Sequence, residues 1–427
     1  MKRNPEQIRT LVLDRLATCK LVIWGYTEPA KQFYLRYKEI YNISVCVTEQ
    51  VEHPAFLIDE SQELPIIDWN DYTMEGDVYI LVFARPCVHI ENQILAYGLR
   101  IFEEYIDSEL AEYMLSEKKI AIVAGNCQIV TICDFLKQLE SFTNKYILFR
   151  FSTHYWKSKY SLKSLAYLKN VCDLYICMQH EEDDIHFFSI DELPETCEIV
   201  RLPNALCRLY WPQLKMNFEK AHNEFFLVDK KKIQHGPFEY GDLNINEEIK
   251  KNQKISDLLA TPDECALDEM VRKLSCDDYY SESVIQKHIN MVLRGLEYSE
   301  NGCDITISDF IKANYKKVML YRDMAHMQPV LIWEIVKRIL KFLKMDTYEV
   351  EMLETSGNSE VEKSFASHCT EIPVYPSVAK HMDLEWCNQE TTYDVTFYNG
   401  IRKLTFEEYV RSYYYVCSRV YQIMKEW

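Results

Sequence analysis

Short apolar segments alternate with amphipathic ones in the first part of the chain. Residues 20–24 (KLVIW), 43–47 and 77–83 have the continuous apolar pattern of buried strands, while residues 28–41 and 91–106 have helical spacing. This alternation predicts a small parallel α/β domain over residues 1–116. Its first turn contains a single glycine, whereas the dinucleotide fingerprint requires several, so we interpret it as a Rossmann-like domain without a cofactor.

The same alternation continues more strongly from residue 117. Apolar strands are predicted at residues 119–124, 146–151, 173–178 and 198–203, with amphipathic helices between them. After the first of these strands, apolar residues recur on one helical face: Ile129, Ile132, Cys133, Leu136 and Leu139. Because continuous apolar strands are typical of sheets covered on both faces, we predict a doubly wound, mainly parallel sheet over residues 117–345.

The end of this central domain and the remainder of the chain have a different pattern. Residues 217–309 are polar and helical, a last strand is predicted at 317–323, and Pro329 opens a long helix over 329–343. Residues 346–427 are predicted to form a small, mainly helical C-terminal appendage. Within it Thr405 and Glu408 have the spacing of a capping box at a helix start.

The amino-acid composition limits which binding partners and which cellular compartment we expect. The net charge of −18 argues against nucleic acid and anionic membranes, which require a basic surface. No apolar run reaches the roughly 20 residues of a membrane span. The 15 cysteines are scattered, often within apolar runs, and no signal peptide precedes them. We therefore expect a cytoplasmic protein with free thiols.

A cysteine lies where the first strand of the central domain ends, in the sequence Gly125-Asn126-Cys127-Gln128. The carboxyl ends of parallel strands form the working edge of an open α/β sheet. A thiol at a helix N-terminus there has a stabilised thiolate, and the first-turn N–H groups can bind an oxyanion. Asn126 and Gln128 add amide donors. The sequence therefore predicts Cys127 as a nucleophile, although a buried structural cysteine is the alternative.

We predict His326 as the base for this thiol, with Asp323 as the residue that orients it. Both lie between the last predicted strand and the closing helix. A histidine at a helix N-terminus favours the neutral form that accepts a proton, and an aspartate can fix its tautomer. We expect His326 at the same sheet edge as Cys127. The alternative is that Asp323 caps the helix or pairs with Arg322.

Other polar residues follow predicted strands and are expected at the same edge. Gln179 and His180 follow the strand 173–178, and His154 follows the strand 146–151. Gln179 is placed to donate to an oxyanion or substrate, whereas the two histidines are wall or loop residues in the alternative interpretation. The acidic segment 180–186 lacks a known ligand spacing, and we predict no metal site.

Several of these motifs together resemble the WcbI-like family of polysaccharide-biosynthesis proteins over residues 117–345. The Gly-Asn-Cys-Gln block carries the resemblance, with support from DLYICMQ at 173–179, Leu202-Pro203-Asn204, Trp211-Pro212, Gly236-Pro237-Phe238 and Asp242. The resemblance implies a coenzyme A-binding acetyltransferase acting on a sugar. It also implies that Gly125, Asn126, Cys127, Gln128, Gln179 and His326 line its site.

One departure from the family pattern lies beside the histidine. The family has proline directly after it, whereas Met327 and Gln328 precede Pro329 here, which puts the local helix start in question.

These expectations define a working hypothesis of acyl transfer from acetyl-CoA to a sugar, sugar nucleotide or polysaccharide precursor. Either Cys127 is acylated, or His326 activates the sugar hydroxyl directly. Arg322, Lys157 and Lys159 are the cations we predict near the coenzyme phosphates. A thioesterase or esterase using the same residues, and a carbohydrate-binding scaffold, remain alternatives. The sequence does not assign the acceptor sugar, the acyl group, the oligomeric state or the roles of the flanking domains.

Overall fold

The structure is a computed structural model that divides into two compact units, residues 1–200 and 201–427. The predicted domain limits after residues 116 and 345 fall inside these units and stay predictions. The residues that the structure describes are 4–48, 55–59, 62–84, 93–94, 96–152, 162–179, 190–214, 242–251, 264–356, 362, 370–397 and 400–425.

The first unit begins with a six-stranded sheet in the order β3-β4-β2-β1-β5-β6. Strand β1 pairs in parallel with β2 on one side and β5 on the other, as the alternating pattern predicts. The strands are β1 (Lys20–Trp24), β2 (Ile43–Thr48), β3 (Ala55–Asp59), β4 (Gln62–Asp68), β5 (Val78–Val82) and β6 (Tyr105–Asp107). The helices around it are α1 (Pro5–Thr18), α2 (Glu28–Tyr37) and α3 (Ser108–Met114).

Strands β3, β4 and β6 were not predicted, and the helical prediction over 91–106 is wrong at its end. Gly98 has φ +75° and Phe102 has φ +68°, and neither angle fits a right-handed helix. The following residues pair in parallel with β5 as an edge strand instead. Strand β3 is antiparallel to β4, which makes the sheet mainly rather than wholly parallel.

Close packing explains why a glycine is found at position 25, directly after β1. Its φ is +115°, and a Cβ there would lie 2.4 Å from the backbone nitrogen of Ala84. The N–H groups of Phe83 and Ala84 both donate to the Trp24 carbonyl, at 2.7 and 2.9 Å. Backbone therefore closes the space between β1 and β5, and this glycine gives no argument for a phosphate site.

The second sheet of this unit has four strands in the order β10-β9-β7-β8. Its central strand β7 pairs in parallel with β8 and β9, so the strand order reverses beside β7. The strands are β7 (Lys119–Gly125), β8 (Tyr146–Ser152), β9 (Cys172–Met178) and β10 (Glu198–Leu202), within one residue of the predicted bounds at nearly every end. The helices are α4 (Cys127–Leu136), α5 (Glu140–Thr143) and α6 (Leu162–Val171).

Helix α4 packs through the apolar face that its spacing predicts. Ile129, Ile132, Cys133, Leu136 and the following Leu139 are all buried. Each large aliphatic side chain removed from water contributes about 1.5–3 kcal/mol, so this face fixes the helix on the sheet. The fold class is confirmed: a doubly wound, mainly parallel α/β arrangement in this part of the chain.

The second unit is mainly helical. Its helices are α7 (Leu243–Lys251), α8 (Glu264–Leu274), α9 (Glu282–Ser299), α10 (Ser308–Asn314), α11 (Pro329–Phe342), α12 (Tyr348–Ser356), α13 (Pro376–His381) and α14 (Phe406–Lys425). The predicted helix from Pro329 is confirmed as α11. The capping box is confirmed too, since Thr405 N–H donates to Glu408 at 2.8 Å and Glu408 N–H donates to the Thr405 hydroxyl at 3.3 Å.

An antiparallel hairpin, β11 (Tyr393–Phe397) with β12 (Gly400–Leu404), was not predicted. Its sequence signal was the Asn399–Gly400 dipeptide between two alternating segments. Within the part of the chain that the structure describes, no helix combines the length and hydropathy that a bilayer crossing requires.

The predicted strand over residues 317–323 is wrong. The chain there forms a loop, in which Tyr321 makes an isolated bridge with Met327. Leu320 and Tyr321 are fully buried, so the apolar pattern reports burial rather than pairing in a sheet. Backbone bonds within the loop, from Arg322 to His326 (2.9 Å) and from Gln328 to Leu320 (2.8 Å), replace a strand ladder.

Candidate functional site

Cys127 is the first residue of α4, directly beyond the end of β7. The residue before it, Asn126, is extended and caps the helix, because its side-chain oxygen accepts from the Gln128 N–H at 2.9 Å. The Cys127 thiol is free and partly exposed. The predicted strand-to-helix position of this cysteine is therefore confirmed by the element boundaries.

The strand register brings further residues to the same edge. Gly125 lies opposite Ser152, the last residue of β8, and Ala124 lies opposite Cys177 near the end of β9. Gln179 follows β9 and so extends beyond the edge from which Cys127 starts. Since strand order reverses beside β7, this is the topological switch point where open α/β sheets bind ligands.

Gly125 allows the close approach of strand and helix behind the thiol. A Cβ at this position would lie 2.9 Å from Cγ1 of Ile129 and 3.1 Å from Cγ of Met178. A larger residue would force the Ile129 and Met178 side chains to move. The glycine thus allows the first turn of α4, which begins at Cys127, to pack closely on the sheet.

Two of the backbone amides around the thiol are used within the helix start. The Gln128 N–H is used by the Asn126 side chain, and the Ile129 N–H donates to the Asn126 carbonyl at 3.2 Å. The Gln128 side chain is only 2% exposed and belongs to the interior. Of the first-turn amides, this leaves the Cys127 N–H, which the helix itself cannot pair.

In the second unit, Asp323 and His326 form a hydrogen-bonded pair. The Asp323 carboxylate is 2% exposed, and one of its oxygens lies 2.7 Å from Nδ1 of His326. Its other oxygen accepts from the backbone N–H groups of Ala325 (2.7 Å) and His326 (2.8 Å). Because a carboxylate only accepts, Nδ1 must carry a proton, and the neutral ring has its lone pair on Nε2.

The position of His326 relative to α11 agrees with the sequence prediction. The helix begins at Pro329 with Gln328 as its N-cap, so His326 lies just before the helix. Its orientation therefore comes from Asp323 and the loop. The two residues that depart from the family pattern have defined places. Met327 is buried and bridges to Tyr321, and Gln328 occupies the N-cap position while its side-chain amide donates to Glu371 at 2.9 Å.

Arg322 is also buried, at 2% exposure, and its guanidinium lies 3.5 Å from Glu371. It is thus engaged within the protein, so its predicted contact with coenzyme phosphates has no direct support from this geometry. The other predicted residues, His154, Lys157, Lys159 and His180, lie outside the described residues.

Sequence reasoning missed Ser152 and Glu371, and it gave no structural place for Asp242. Ser152 is buried at the edge beside Gly125, and the signal was its place as the last residue of a predicted strand. Glu371 had no local signal. Asp242, noted for its motif, is fully buried and caps α7, accepting from the N–H groups of Asn244 and Ile245 at 3.0 and 3.1 Å.

Burial determines the ionisation of Asp242. Desolvation raises the pKa of its carboxyl group to about 6, against hydrogen bonds that favour the ionised form. The Tyr375 hydroxyl donates to the same carboxylate at 3.0 Å. Asp242 therefore joins the start of α7 to the segment before α13 and is a structural residue.

The fold and the thiol at the switch point define a doubly wound α/β protein with a cysteine at its ligand-binding edge. A family model described as polysaccharide biosynthesis enzyme WcbI matches residues 120–347. Since this match spans more than half of the chain, the chain belongs to the WcbI family of polysaccharide biosynthesis enzymes, as the motifs indicated. No match to a curated protein was found.

A solved structure supports the same fold. It is described as WcbI, a novel polysaccharide biosynthesis enzyme, in its native form without a disulfide bond between coenzyme A and one of its cysteines. It aligns with a TM-score of 0.50 and 18% sequence identity over 71% of this chain and 91% of its own.

Proposed function

We propose that this chain transfers an acyl group, an acetyl group in the simplest case, from coenzyme A to a sugar precursor of a surface polysaccharide. The observation that carries the proposal is the position of Cys127, a partly exposed thiol at the first residue of α4 beside the switch point of the sheet. Family membership supports a role in polysaccharide biosynthesis. The mention of coenzyme A and a cysteine in the description of the related WcbI structure supports the cosubstrate.

The described residues around Cys127 provide groups for the thiol end of the coenzyme. At the thiol end, the Cys127 N–H is positioned by the Asn126 cap, and Gln179 follows the neighbouring strand. For the phosphates, Lys157 and Lys159 remain predictions. When bound, the coenzyme supplies an activated acyl carbonyl, and the Cys127 N–H is our assignment for the donor to its developing oxyanion.

We assign His326 as the general base. The Asp323 carboxylate keeps the proton on Nδ1, so Nε2 can take the proton of the sugar hydroxyl as its oxygen bonds to the acyl carbon. In the covalent route, the base first takes the Cys127 thiol proton as the Cys127 sulfur bonds to the acyl carbon, and it gives this proton to the coenzyme sulfur as the thioester bond breaks. The sugar oxygen then bonds to the same carbon, the bond to Cys127 breaks, and the Cys127 sulfur receives the hydroxyl proton from the base. In the direct route, the sugar oxygen bonds to the carbon of the coenzyme thioester, the bond to the coenzyme sulfur breaks, and that sulfur receives the hydroxyl proton from the base.

The test measures coenzyme release from acetyl-CoA with and without sugar acceptors, using wild-type protein and Cys127→Ala. The covalent route predicts a fall on the order of 10²-fold or more in the acceptor-dependent rate. Cys265→Ala is the control, since it removes an exposed thiol elsewhere in the chain. A normal rate in Cys127→Ala rules out the covalent route.

Two further measurements separate the alternatives. Release that does not depend on any acceptor indicates a thioesterase. Mild alkylation near neutral pH, followed by peptide mass spectrometry, should modify Cys127 faster than the more exposed Cys265. An equal or slower rate at Cys127 contradicts the activated thiol and leaves the direct route or a binding module, which acceptor-dependent coenzyme release then separates.

A further inference from the structure

The loop that carries His326 has little regular structure of its own. The loop runs from Tyr321 to Met327, and these two residues pair in an isolated bridge at its base. Arg322, Asp323 and Met324 are buried, whereas the His326 side chain at the tip is 19% exposed. Since no sheet ladder fixes this loop, the position of the imidazole depends on the contacts of the residues on either side of it.

Glu371 contacts both sides of the loop. One of its carboxylate oxygens accepts from the side-chain amide of Gln328 at 2.9 Å and lies 3.5 Å from the Arg322 guanidinium. Its other oxygen accepts from the N–H of Asp394 at 2.9 Å, which ties it to strand β11. The Ile372 N–H, next to Glu371, donates to the Arg322 carbonyl at 2.8 Å.

The segment that contains Glu371 has further anchors. The Trp211 indole N–H donates to the Ile372 carbonyl at 2.9 Å, and the Tyr375 hydroxyl donates to Asp242 at 3.0 Å. The Glu371 N–H also donates to the Asp394 carbonyl at 2.9 Å. This segment therefore lies in one fixed place, although it falls outside the residues matched by the family model, 120–347.

Arg322 and Glu371 also have opposite charges. Arg322 is 2% exposed and Glu371 has a side chain that is 16% exposed, so the pair has little contact with water. If the carboxylate is removed, the buried guanidinium loses one ion-pair partner. Arg322 is also next in the chain to Asp323, the group that orients His326, so a shift of the Arg322 backbone would move Asp323 as well.

From these contacts we propose that Glu371 is a positioning residue for His326, contributed to the site by the C-terminal part of the chain. The inference rests on the acyl-transfer function proposed above. Glu371 acts through Arg322 and Gln328 and does not touch the imidazole itself. This gives the segment after residue 347 a role in the reaction, in addition to its packing.

The test compares Glu371→Gln and Gln328→Ala with wild type. A displacement of about 1 Å in a catalytic group costs on the order of 10²-fold in rate, so Glu371→Gln should lower kcat by about that factor. KM for acetyl-CoA should stay nearly constant, because a general base acts in the transition state. Gln328→Ala removes one contact of Glu371 and should give a smaller fall. Glu390→Gln makes the same charge change at an exposed position in this part of the chain and should match wild type.

Nitrogen NMR of the histidine rings provides a readout that does not need activity. Among the 11 histidines, His326 is assigned by comparison with His326→Gln. We expect the His326 nitrogen signals to shift in Glu371→Gln and Gln328→Ala, and the other histidines to keep their signals. Thermal unfolding of each variant shows what fraction is folded under assay conditions.

The proposal is overturned if His326 keeps its wild-type signals in both folded variants, whatever their rates. It is also overturned if kcat falls only in proportion to the loss of folded protein. If wild-type protein transfers no acyl group to any acceptor, the proposed function fails, but the NMR comparison still decides whether Glu371 positions His326.

Discussion

The change Asp323→Asn tests the assignment of His326 as a base. In the native protein, one Asp323 oxygen accepts two backbone N–H groups at 2.7 and 2.8 Å, and the other lies 2.7 Å from Nδ1 of His326. An asparagine can retain the two backbone bonds with its oxygen. Its NH₂ group would then face Nδ1, and the ring proton would move to Nε2 because Nδ1 has to accept.

The cost in stability follows from the kind of bond that is lost. Hydrogen bonds to charged groups contribute about 1.5–3 kcal/mol, and neutral ones about 0.5–1.5 kcal/mol. Three bonds are each weakened by about 1–1.5 kcal/mol, so we expect the free energy of unfolding to fall by about 3–4.5 kcal/mol. Activity should fall further, on the order of 10²–10⁴-fold, since the nitrogen needed to accept a proton carries one.

The assay combines urea unfolding, nitrogen NMR of the histidine rings and the rate of acceptor-dependent coenzyme release. Asp346→Asn is the matched control, because Asp346 also accepts a backbone N–H two residues ahead, that of Tyr348 at 2.9 Å, at an exposed position. A folded Asp323→Asn protein with the changed tautomer and a wild-type rate would refute the role of His326 as the base. An unchanged tautomer would refute the hydrogen-bond argument itself.

Three further outcomes follow from the geometry. Asp242→Asn should stabilise the protein at pH 7.5 by up to about 3 kcal/mol, because a folded-state pKa of about 6 against 3.8 penalises the ionised carboxylate. The free energy of unfolding of the native protein should fall by the same amount as pH rises from 4 to 6, and an equal pH dependence in both proteins would contradict this. Gly125→Ala should cost about 1–3 kcal/mol in urea unfolding, since its Cβ would lie 2.9 Å from Ile129, and slow the alkylation of Cys127; an unchanged midpoint would contradict this. The single changes Cys127→Ala and His326→Ala should be strongly non-additive in the double variant, whereas additive losses would mean that the two residues serve separate steps.

Much of the fold follows from the local pattern of apolar residues. The strand over residues 20–24 and helix α11 agree with their predictions because continuous burial and helical spacing leave a local signature. The apolar run at 317–323 has the same signature without a strand, since Leu320 and Tyr321 are buried in a loop. A pattern of hydrophobic residues reports burial, and the partner that turns burial into a strand is a property of the tertiary structure.

At the candidate site, too, the local contacts follow from the sequence, whereas the contacts between distant segments follow from the tertiary structure. The sequence by itself determined that Cys127 lies between a strand and a helix, and that Asp323 is close enough to His326 to contact it, because both depend on neighbours a few residues apart. Tertiary structure alone decided that Glu371 reaches Arg322 and Gln328, which lie more than 40 residues before it in the chain. Contacts between distant segments depend on how whole elements pack, and no spacing along the chain encodes them.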